Sequence, residues 1–220
     1  WMWNEYAPEP RMRQNLGIRR RLAPLLDNDQ RRIELANSIL FSLPGVPIIY
    51  YGDEIGMGDN IWLKDRDGVR TPMQWNEQRN AGFSSADPDK LYSPVIDDEI
   101  FGYSKINVAG EQAGMGNFWH SIQKMIAIRK QYPLFGNPGY MFLQTENRAV
   151  LPILRFAKKE HILAINNLSG EHQPISLDLK KWKGGRMMDL IHEEFSCLIP
   201  DEPLEMRLKP YEYLWLHFES

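Results

Sequence analysis

The chain has 220 residues, of which 43% are hydrophobic, and a formal net charge of −3 at pH 7. That length and apolar content are enough to bury the core of one domain or of two smaller ones. The near balance of charge excludes the strong positive field that attracts nucleic acid or an anionic membrane, so we expect neither as a partner. The chain begins at Trp1 rather than Met, and we expect it to be a piece of a longer protein.

Cysteine and histidine usage narrows the class of protein further. Cys197 is the single cysteine, which excludes an internal disulfide and argues against a structural zinc site. The five histidines show no metal-binding spacing, so no cofactor is predicted in this segment. Without a secretory leader, a membrane-length apolar run or a lipidation signal, a cytoplasmic location is the default expectation.

The first periodic segment predicts a helix over residues 27–43 that leads into a buried strand. Asp27, Asn28 or Asp29 can cap the helix. Its apolar face at helical spacing consists of Ile33, Ala36, Ile39, Leu40 and Leu43. Pro44 and Gly45 end it, and the β-branched and aromatic run "PIIYY" that follows predicts a parallel strand buried on both faces.

Residues 52–111 have weak periodicity and many glycine, asparagine, aspartate and proline residues, which predicts a long functional loop containing short helices. A second helix is predicted from Phe118 to just before Pro133, with Phe118, Ile122, Met125 and Ile126 on one face. From residue 135 onward, short β-type runs alternate with turn residues at nearly regular spacing. That spacing predicts an antiparallel β-sandwich over 135–220, preceded by a domain over 1–134.

Three acids in the stretch "VPIIYYGDEIGMGDN" are the first candidates for chemistry. Asp53 and Glu54 are adjacent in sequence, and successive side chains of an extended strand point to opposite faces. They therefore make a poor pair of glycosidase carboxylates, which flank one bond, and we expect one to face the cleft while the other bonds to backbone or arginine. For Asp59, which follows two glycines, the favoured role is to cap the next turn.

The stretch "DRDGVRTPMQW" at 65–75 combines the side chains needed to hold a sugar. Arg66 and Arg70 offer fork donors, Asp67 an acceptor, Gln74 an amide and Trp75 a flat apolar face. The same residues also fit a salt-bridged structural loop, and composition does not decide between the two.

Three motifs carry a resemblance to a known family. "GIRRRLAPLLDNDQRRIELANSILFSLPGVPIIYYGDEIGMGDN", "DRDGVRTPMQW" and "NAGFS" resemble glycoside hydrolase family 13, the α-amylase superfamily, and within it the trehalose synthase branch. The resemblance covers nearly all of residues 1–134, whereas the β-rich remainder is similar only in pattern and position. It implies α/β plus all-β architecture: the last helices and eighth strand of a TIM (β/α)8 barrel, followed by the sandwich.

The resemblance also implies where the chemistry lies. Family members carry three catalytic carboxylates on earlier barrel strands, the last within an Asn-His-Asp motif that this chain lacks. It therefore implies no catalytic residue here, and we expect this chain alone to be inactive. Arg70 matches the arginine that grips the 4-hydroxyl of the bound glucose. Asp53, Glu54, Asp67, Gln74 and Trp75 are expected to shape the site.

By resemblance, the parent enzyme interconverts maltose and trehalose by intramolecular glucosyl transfer through a covalent glucosyl-enzyme. The loop at 52–111 would help to exclude water. An α-glucosidase or α-amylase-type hydrolase and a non-catalytic carbohydrate-binding module remain the alternatives. Maltose, trehalose and glucose are the expected small-molecule partners. Calcium bound through upstream residues, a homo-oligomer and a maltokinase partner are left open.

Overall fold

The computed structural model describes residues 1–114, 118–136 and 139–219. The chain divides into two compact units, one of Trp1–Ile33 with Ile48–Ser121 and the other of Glu34–Pro47 with Ile122–Ser220. Each unit combines two separate stretches of the chain, so this division does not test a single boundary in the sequence. The domain boundary at 134/135 stays a prediction.

The helices and strands of the described residues follow in chain order. The helices are α1 (Met2–Tyr6), α2 (Leu22–Leu25), α3 (Gln30–Ser42), α4 (Val108–Gln112) and α5 (Phe118–Gln131). The strands are β1 (Arg13–Gln14), β2 (Gly17–Ile18), β3 (Gly139–Phe142), β4 (Val150–Ala157), β5 (Glu160–Asn167), β6 (Gln173–Leu177), β7 (Arg186–Asp189), β8 (Glu194–Leu198), β9 (Leu204–Leu208) and β10 (Tyr213–Glu219).

Both long helices form where the apolar periodicity predicts them. In α5, Phe118, Ile122 and Met125 are buried as expected, but Ile128 rather than Ile126 completes the buried face. In α3, much of the predicted apolar face is only half-buried, whereas Asn37, Ser38 and Ser42 are buried. Polar side chains can be buried on a helix when they find hydrogen-bond partners, which an apolar pattern does not reveal.

The prediction of a strand buried on both faces at "PIIYY" is wrong for this chain. Residues 46–50 are in no strand, and Val46 and Ile48 are 88% and 82% exposed. A parallel strand is buried only when neighbouring strands pair with it and helices cover its faces. The described residues supply no strand that pairs with this segment.

In the first unit, the segment from 52 to 111 contains short 3-10 turns and α4, as predicted. The turns are Asp53–Ile55, Asp67–Val69, Arg79–Gly82 and Pro88–Lys90. A small core beneath the loop is formed by Ile55, Met57, Met73 and Val108. The loop is therefore anchored by its own apolar side chains, although its connections are irregular.

Arg19 holds the part of this loop that precedes Arg70. The Arg19 guanidinium is buried and donates to the carbonyl oxygens of Leu63 at 2.7 Å and Ile61 at 2.8 Å. It also donates to the carbonyl oxygens of Asp65 and, at 2.6 Å, Arg11. One arginine thus satisfies four backbone acceptors and fixes the shape of residues 61–65.

The second unit confirms the predicted β-sandwich. Six strands form an antiparallel sheet in the order β3-β4-β5-β10-β7-β8, and β6 pairs with β9 in a second sheet. Side chains from both sheets meet in one core: Leu154, Leu163, Ile165, Leu216 and Phe218 from the large sheet, with Ile175, Leu177, Leu204 and Leu208 from the small one. Two sheets packed face to face through alternating apolar side chains are the defining feature of a sandwich.

His161 is buried in this unit among aromatic rings. Its imidazole stacks on Phe218, with ring centroids 5.0 Å apart, and meets the edge of Trp182 at 5.2 Å. Burial lowers the pKa of His161, since a charged imidazolium loses hydration there, and Lys181 and His217 act in the same direction.

Acid should therefore destabilise the protein through His161. The unfolded chain has the higher pKa and binds a proton first, so the free energy of unfolding should fall as pH drops below about 6.5. Replacing His161 with Phe should make this dependence shallower, as measured by urea denaturation between pH 5 and pH 8. Parallel pH profiles for the two proteins would contradict the assignment.

Candidate functional site

A cavity of about 480 Å³ in the first unit brings together several of the residues singled out in the sequence. Arg70, Glu54 and Trp75 line it, with Tyr51, Thr71, Pro72, Met73, Phe83, Leu91, Tyr92 and Ser93. We call it the Arg70 cavity. Its lining combines one cation, one carboxylate and four aromatic rings, which is the composition of a site for a ring-shaped ligand with hydroxyl groups.

Arg70 is free to bind a ligand. It follows the 3-10 turn at Asp67–Val69, and its backbone N–H donates to the Asp67 carbonyl oxygen at 2.9 Å. The side chain is exposed, and no described residue makes a hydrogen bond or ion pair with its guanidinium. An unpaired guanidinium beside a cavity is a fork donor for ligand oxygens.

Gly68 allows this turn to pack closely against the preceding segment. Asn60 N–H donates to the Gly68 carbonyl oxygen at 2.9 Å. A Cβ at position 68 would stand 2.2 Å from the Asn60 carbonyl oxygen, a distance that backbone atoms cannot accommodate. Only glycine therefore permits the turn that presents Arg70.

Tyr51 holds the residue that follows Arg70. Its hydroxyl Oη donates to the Thr71 carbonyl oxygen at 2.9 Å. The Tyr51 carbonyl oxygen in turn accepts from Arg21 Nη1 at 2.6 Å, and the Arg21 guanidinium lies 4.8 Å from the Tyr51 ring centroid. Burial raises the pKa of the Tyr51 phenol, so the hydroxyl keeps the proton that it donates.

The "NAGFS" segment fixes Trp75 and Phe83 at the cavity. The backbone N–H of Trp75 donates to the Ala81 carbonyl oxygen at 2.9 Å. Asn80 and Ala81 both have left-handed backbone angles, with φ of 54° and 59°. Alanine, unlike asparagine, has no polar side chain that can form a local hydrogen bond in this conformation. The left-handed backbone of Ala81 is therefore strained, and such strain persists only where surrounding contacts enforce it.

Asp53 and Glu54 have different partners, although they lie in the 3-10 turn Asp53–Ile55 and not in the extended strand on which that expectation was based. Glu54 lines the Arg70 cavity, and its Oε2 accepts from the Gly52 N–H at 2.7 Å. Asp53 Oδ1 instead lies 3.5 Å from Arg21 Nη1. Burial raises the pKa of Asp53 to about 6, against the opposing effect of Arg21, because the ion pair is long and the carboxyl group is largely desolvated.

The expectation that Asp59 caps the turn after it is wrong. Its carboxylate accepts from Arg20 Nε at 2.9 Å and from the Arg21 backbone N–H at 2.7 Å. The Asp59 side chain is 2% exposed, so both bonds are shielded from water. Asp59 therefore links the loop at 52–111 to Arg20 and Arg21 at the start of α2, and local turn preferences cannot reveal such distant partners.

Gln74 lies inside the loop rather than at the cavity. It is fully buried, and its Nε2 donates to the carbonyl oxygens of Phe101 at 3.0 Å and Ile106 at 2.6 Å. Asp67 opens the turn before Arg70, and Arg66 does not line the cavity. Sequence reasoning gave no role to several lining residues, namely Tyr51, Thr71, Phe83, Leu91, Tyr92 and Ser93. Tyr51, Thr71 and Phe83 lie within the motifs quoted above, whereas Leu91, Tyr92 and Ser93 lie outside all of them.

Neither a metal centre nor a membrane span is found in the part of the chain that the structure describes. Within residues 1–114, 118–136 and 139–219, no cluster of three His, Cys, Asp or Glu side chains is arranged to hold a metal ion. Among these same residues, no helix is both long enough and apolar enough to cross a bilayer.

The comparisons with known proteins agree with this fold. The family described as "Alpha amylase, catalytic domain" matches residues 18–137, and "Maltogenic Amylase, C-terminal domain" matches residues 140–215. The chain belongs to the α-amylase family, glycoside hydrolase family 13.

Within that family, several relatives that are 41–47% identical to the chain are trehalose synthases. The trehalose synthase of Pimelobacter sp. is 47% identical over 98% of this chain and 38% of its own length. The trehalose synthase/amylase of Mycobacterium tuberculosis is 45% identical over the whole chain and 37% of its own length. The chain thus spans well under half the length of these relatives.

Solved structures share the fold at low sequence identity. Trehalose-6-phosphate hydrolase from Bacillus licheniformis superposes with a TM-score of 0.68 at 23% identity, covering 88% of this chain and 40% of that protein. Trehalulose synthase from Pseudomonas mesoacidophila gives a TM-score of 0.69 at 21% identity, covering 91% of this chain and 41% of that protein. These matches establish the architecture alone.

Proposed function

We propose that this chain is the carboxy-terminal portion of an enzyme that interconverts maltose and trehalose by intramolecular glucosyl transfer. The observation that carries the proposal is the Arg70 cavity, where an unpaired guanidinium faces a cavity lined by Tyr51, Trp75, Phe83 and Tyr92. Its composition suits a glucosyl ring, and trehalose synthases are 45–47% identical to the chain.

Arg70 binds and orients the glucosyl unit in this proposal. A guanidinium can donate two parallel hydrogen bonds to neighbouring ligand oxygens and so fix both position and rotation of the ring. The aromatic rings cover the apolar faces of the sugar. Glu54, already held by the Gly52 N–H, accepts from a sugar hydroxyl.

The bond-breaking groups lie outside these 220 residues. A retaining transfer needs one carboxylate to attack the anomeric carbon and a second carboxyl group to protonate the departing glucose. The same second group then deprotonates the anomeric hydroxyl of that glucose as it attacks the glucosyl-enzyme, which forms trehalose. This chain alone is therefore proposed to be inactive.

Retention of the departing glucose separates an isomerase from a hydrolase. Water that enters the site would hydrolyse the covalent intermediate, so the glucose must remain enclosed until it is rejoined. The loop at 52–111 is proposed to form part of the enclosing wall. Its internal apolar core and the hydrogen bonds from Arg19 to the carbonyl oxygens of Ile61 and Leu63 give the loop the fixed shape that such a wall requires.

Isotope labelling tests the proposal. The complete enzyme is incubated with unlabelled maltose and an excess of ¹³C-glucose, and the trehalose is analysed by mass spectrometry. Intramolecular transfer predicts unlabelled trehalose. Half-labelled trehalose would show that glucose exchanges with solution, and formation of glucose without trehalose would show a hydrolase.

Removal of the Tyr51 hydroxyl should weaken catalysis without removing any contact to the sugar. In the complete enzyme, Tyr51→Phe should lower kcat/KM for maltose by about two- to tenfold, because one hydrogen bond that positions the Arg70 segment is lost. Tyr103→Phe is the matched control, since Tyr103 belongs to the same unit and does not line the cavity. Equal kcat/KM values for the two variants would remove Tyr51 from this role.

A further inference from the structure

Three exposed aromatic side chains line the Arg70 cavity. Trp75 is 49% exposed, Phe83 52% and Tyr92 95%, and we call these three residues the aromatic rim. Each side chain has a large accessible surface, so a ligand in the cavity can contact it. Exposed aromatic rings that line a concave site are a common feature of ligand-binding surfaces.

The cavity offers flat apolar surface more than it offers polar groups. Most of the wall that faces the cavity is apolar, although Arg70 and Glu54 belong to it. Its volume of about 480 Å³ lies within the range of roughly 300–1,000 Å³ found for sites that hold ligands larger than a monosaccharide. The two rings of a disaccharide therefore fit the cavity better than one ring does.

The proposed reaction makes different demands on these two rings. The bond that breaks joins the anomeric carbon of the glucosyl unit to the 4-oxygen of glucose, and the bond that forms joins the same carbon to the anomeric oxygen of glucose. The upstream carboxyl group gives a proton to the 4-oxygen and takes one from the anomeric hydroxyl. The glucosyl unit stays in place, whereas the departing glucose has to turn within the site without leaving it.

We propose that the aromatic rim holds the departing glucose while it turns. Hydrogen bonds are directional and would fix the rotation of the sugar. Apolar contact with a flat ring is non-directional, so it retains the sugar and still permits rotation. The rim thus sets how much of the cleaved maltose becomes trehalose and how much is lost as glucose. This inference rests on the proposed function, because it assumes that the glucose is rejoined.

Truncation of a rim residue should divert the reaction toward hydrolysis. In the complete enzyme, Phe83→Ala and Tyr92→Ala should each raise the ratio of glucose to trehalose formed from maltose by about two- to tenfold, the scale of one aromatic contact. Chromatography of the products measures this ratio. Tyr92→Phe keeps the ring and should keep the ratio. The matched control is Trp62→Ala, since Trp62 is 70% exposed in the same loop but does not line the cavity.

α-Glucosyl fluoride separates retention of glucose from cleavage of maltose. Loss of fluoride leaves a glucosyl-enzyme with no glucose beside it, so added glucose and water compete for the intermediate. The glucose concentration that gives half-maximal trehalose formation should rise about two- to tenfold in Phe83→Ala and Tyr92→Ala. It should stay constant in Tyr92→Phe and Trp62→Ala. This measurement remains informative when a variant cleaves maltose slowly.

Two results would overturn the role of the aromatic rim. One is an unchanged product ratio with an unchanged glucose requirement in Phe83→Ala and Tyr92→Ala. The other is a rise in both quantities that Trp62→Ala shows equally. The proposed reaction fails separately from the rim, because an unaltered enzyme that forms no trehalose from maltose or from glucosyl fluoride would refute the reaction itself.

Discussion

Replacing Arg70 with Lys in the complete enzyme should lower kcat/KM for maltose by on the order of tenfold or more. A lysine keeps the positive charge but offers a single ammonium in place of the planar fork, so at least one charged hydrogen bond to the sugar is lost. Such a bond is worth about 1.5–3 kcal/mol, and a loss of 1.4 kcal/mol corresponds to a factor of ten in rate. Steady-state kinetics with maltose gives the value directly.

Arg66 provides the matched control for this experiment. It lies in the same loop and is exposed like Arg70, but it does not line the cavity. Arg66→Lys should therefore leave kcat/KM within about twofold, on the scale of an exposed charge that contributes little. An unchanged kcat/KM in Arg70→Lys, or an equal loss in both variants, would remove Arg70 from the sugar-binding site.

Replacing Trp215 with Ala should cost about 3–5 kcal/mol of the free energy of unfolding. Trp215 is fully buried on β10, where its ring centroid lies 5.2 Å from that of Phe135. Its indole N–H donates to Ser38 Oγ at 3.0 Å, and Ser38 donates to Asn166 Oδ1 at 2.8 Å. The variant thus creates a large cavity and breaks a buried chain of hydrogen bonds.

An exposed tryptophan shows how much of this loss comes from burial. Trp62 is 70% exposed and contacts the Arg11 guanidinium at 4.4 Å. Trp62→Ala should therefore cost no more than about 1 kcal/mol, the value of an exposed cation–π contact. Chemical denaturation of both variants makes the comparison, and similar losses would contradict the assigned core.

Much of the fold could be predicted because its signals are local. Helices α3 and α5 follow from apolar periodicity, and Pro133 lies just beyond the end of α5. Most sandwich strands follow from β-type runs between turn residues. The strands β8 and β9 were not predicted. Most of β8 is exposed, so it lacks an apolar run, whereas β9 alternates in "LEMRL" but is only five residues long.

The parts that could not be predicted depend on distant residues. The apolar run "PIIYY" reports a preference for burial but not whether neighbouring strands are present to bury it, and here Val46 and Ile48 are exposed. Asp59 bonds to Arg20 and Arg21, almost forty residues away in sequence. A single sequence contains no record of such pairings.

The candidate site was likewise predictable only where its residues carry a local sequence signal. Arg70, Glu54 and Trp75 were singled out by residue type and motif, and they line one cavity. Tyr51 was not, because its role arises only when its hydroxyl meets the Thr71 carbonyl oxygen, 20 residues away in sequence. Whether the singled-out residues bind substrate stays a prediction that the variants above address.

Interconversion of maltose and trehalose by the complete enzyme is tested most directly by approaching equilibrium from both sides. The enzyme is incubated separately with pure maltose and with pure trehalose, and the sugars are quantified by chromatography until their ratio is constant. We expect both reactions to converge on one maltose-to-trehalose ratio with little glucose released. Conversion of both sugars mainly to glucose, or of neither sugar, would contradict the claim.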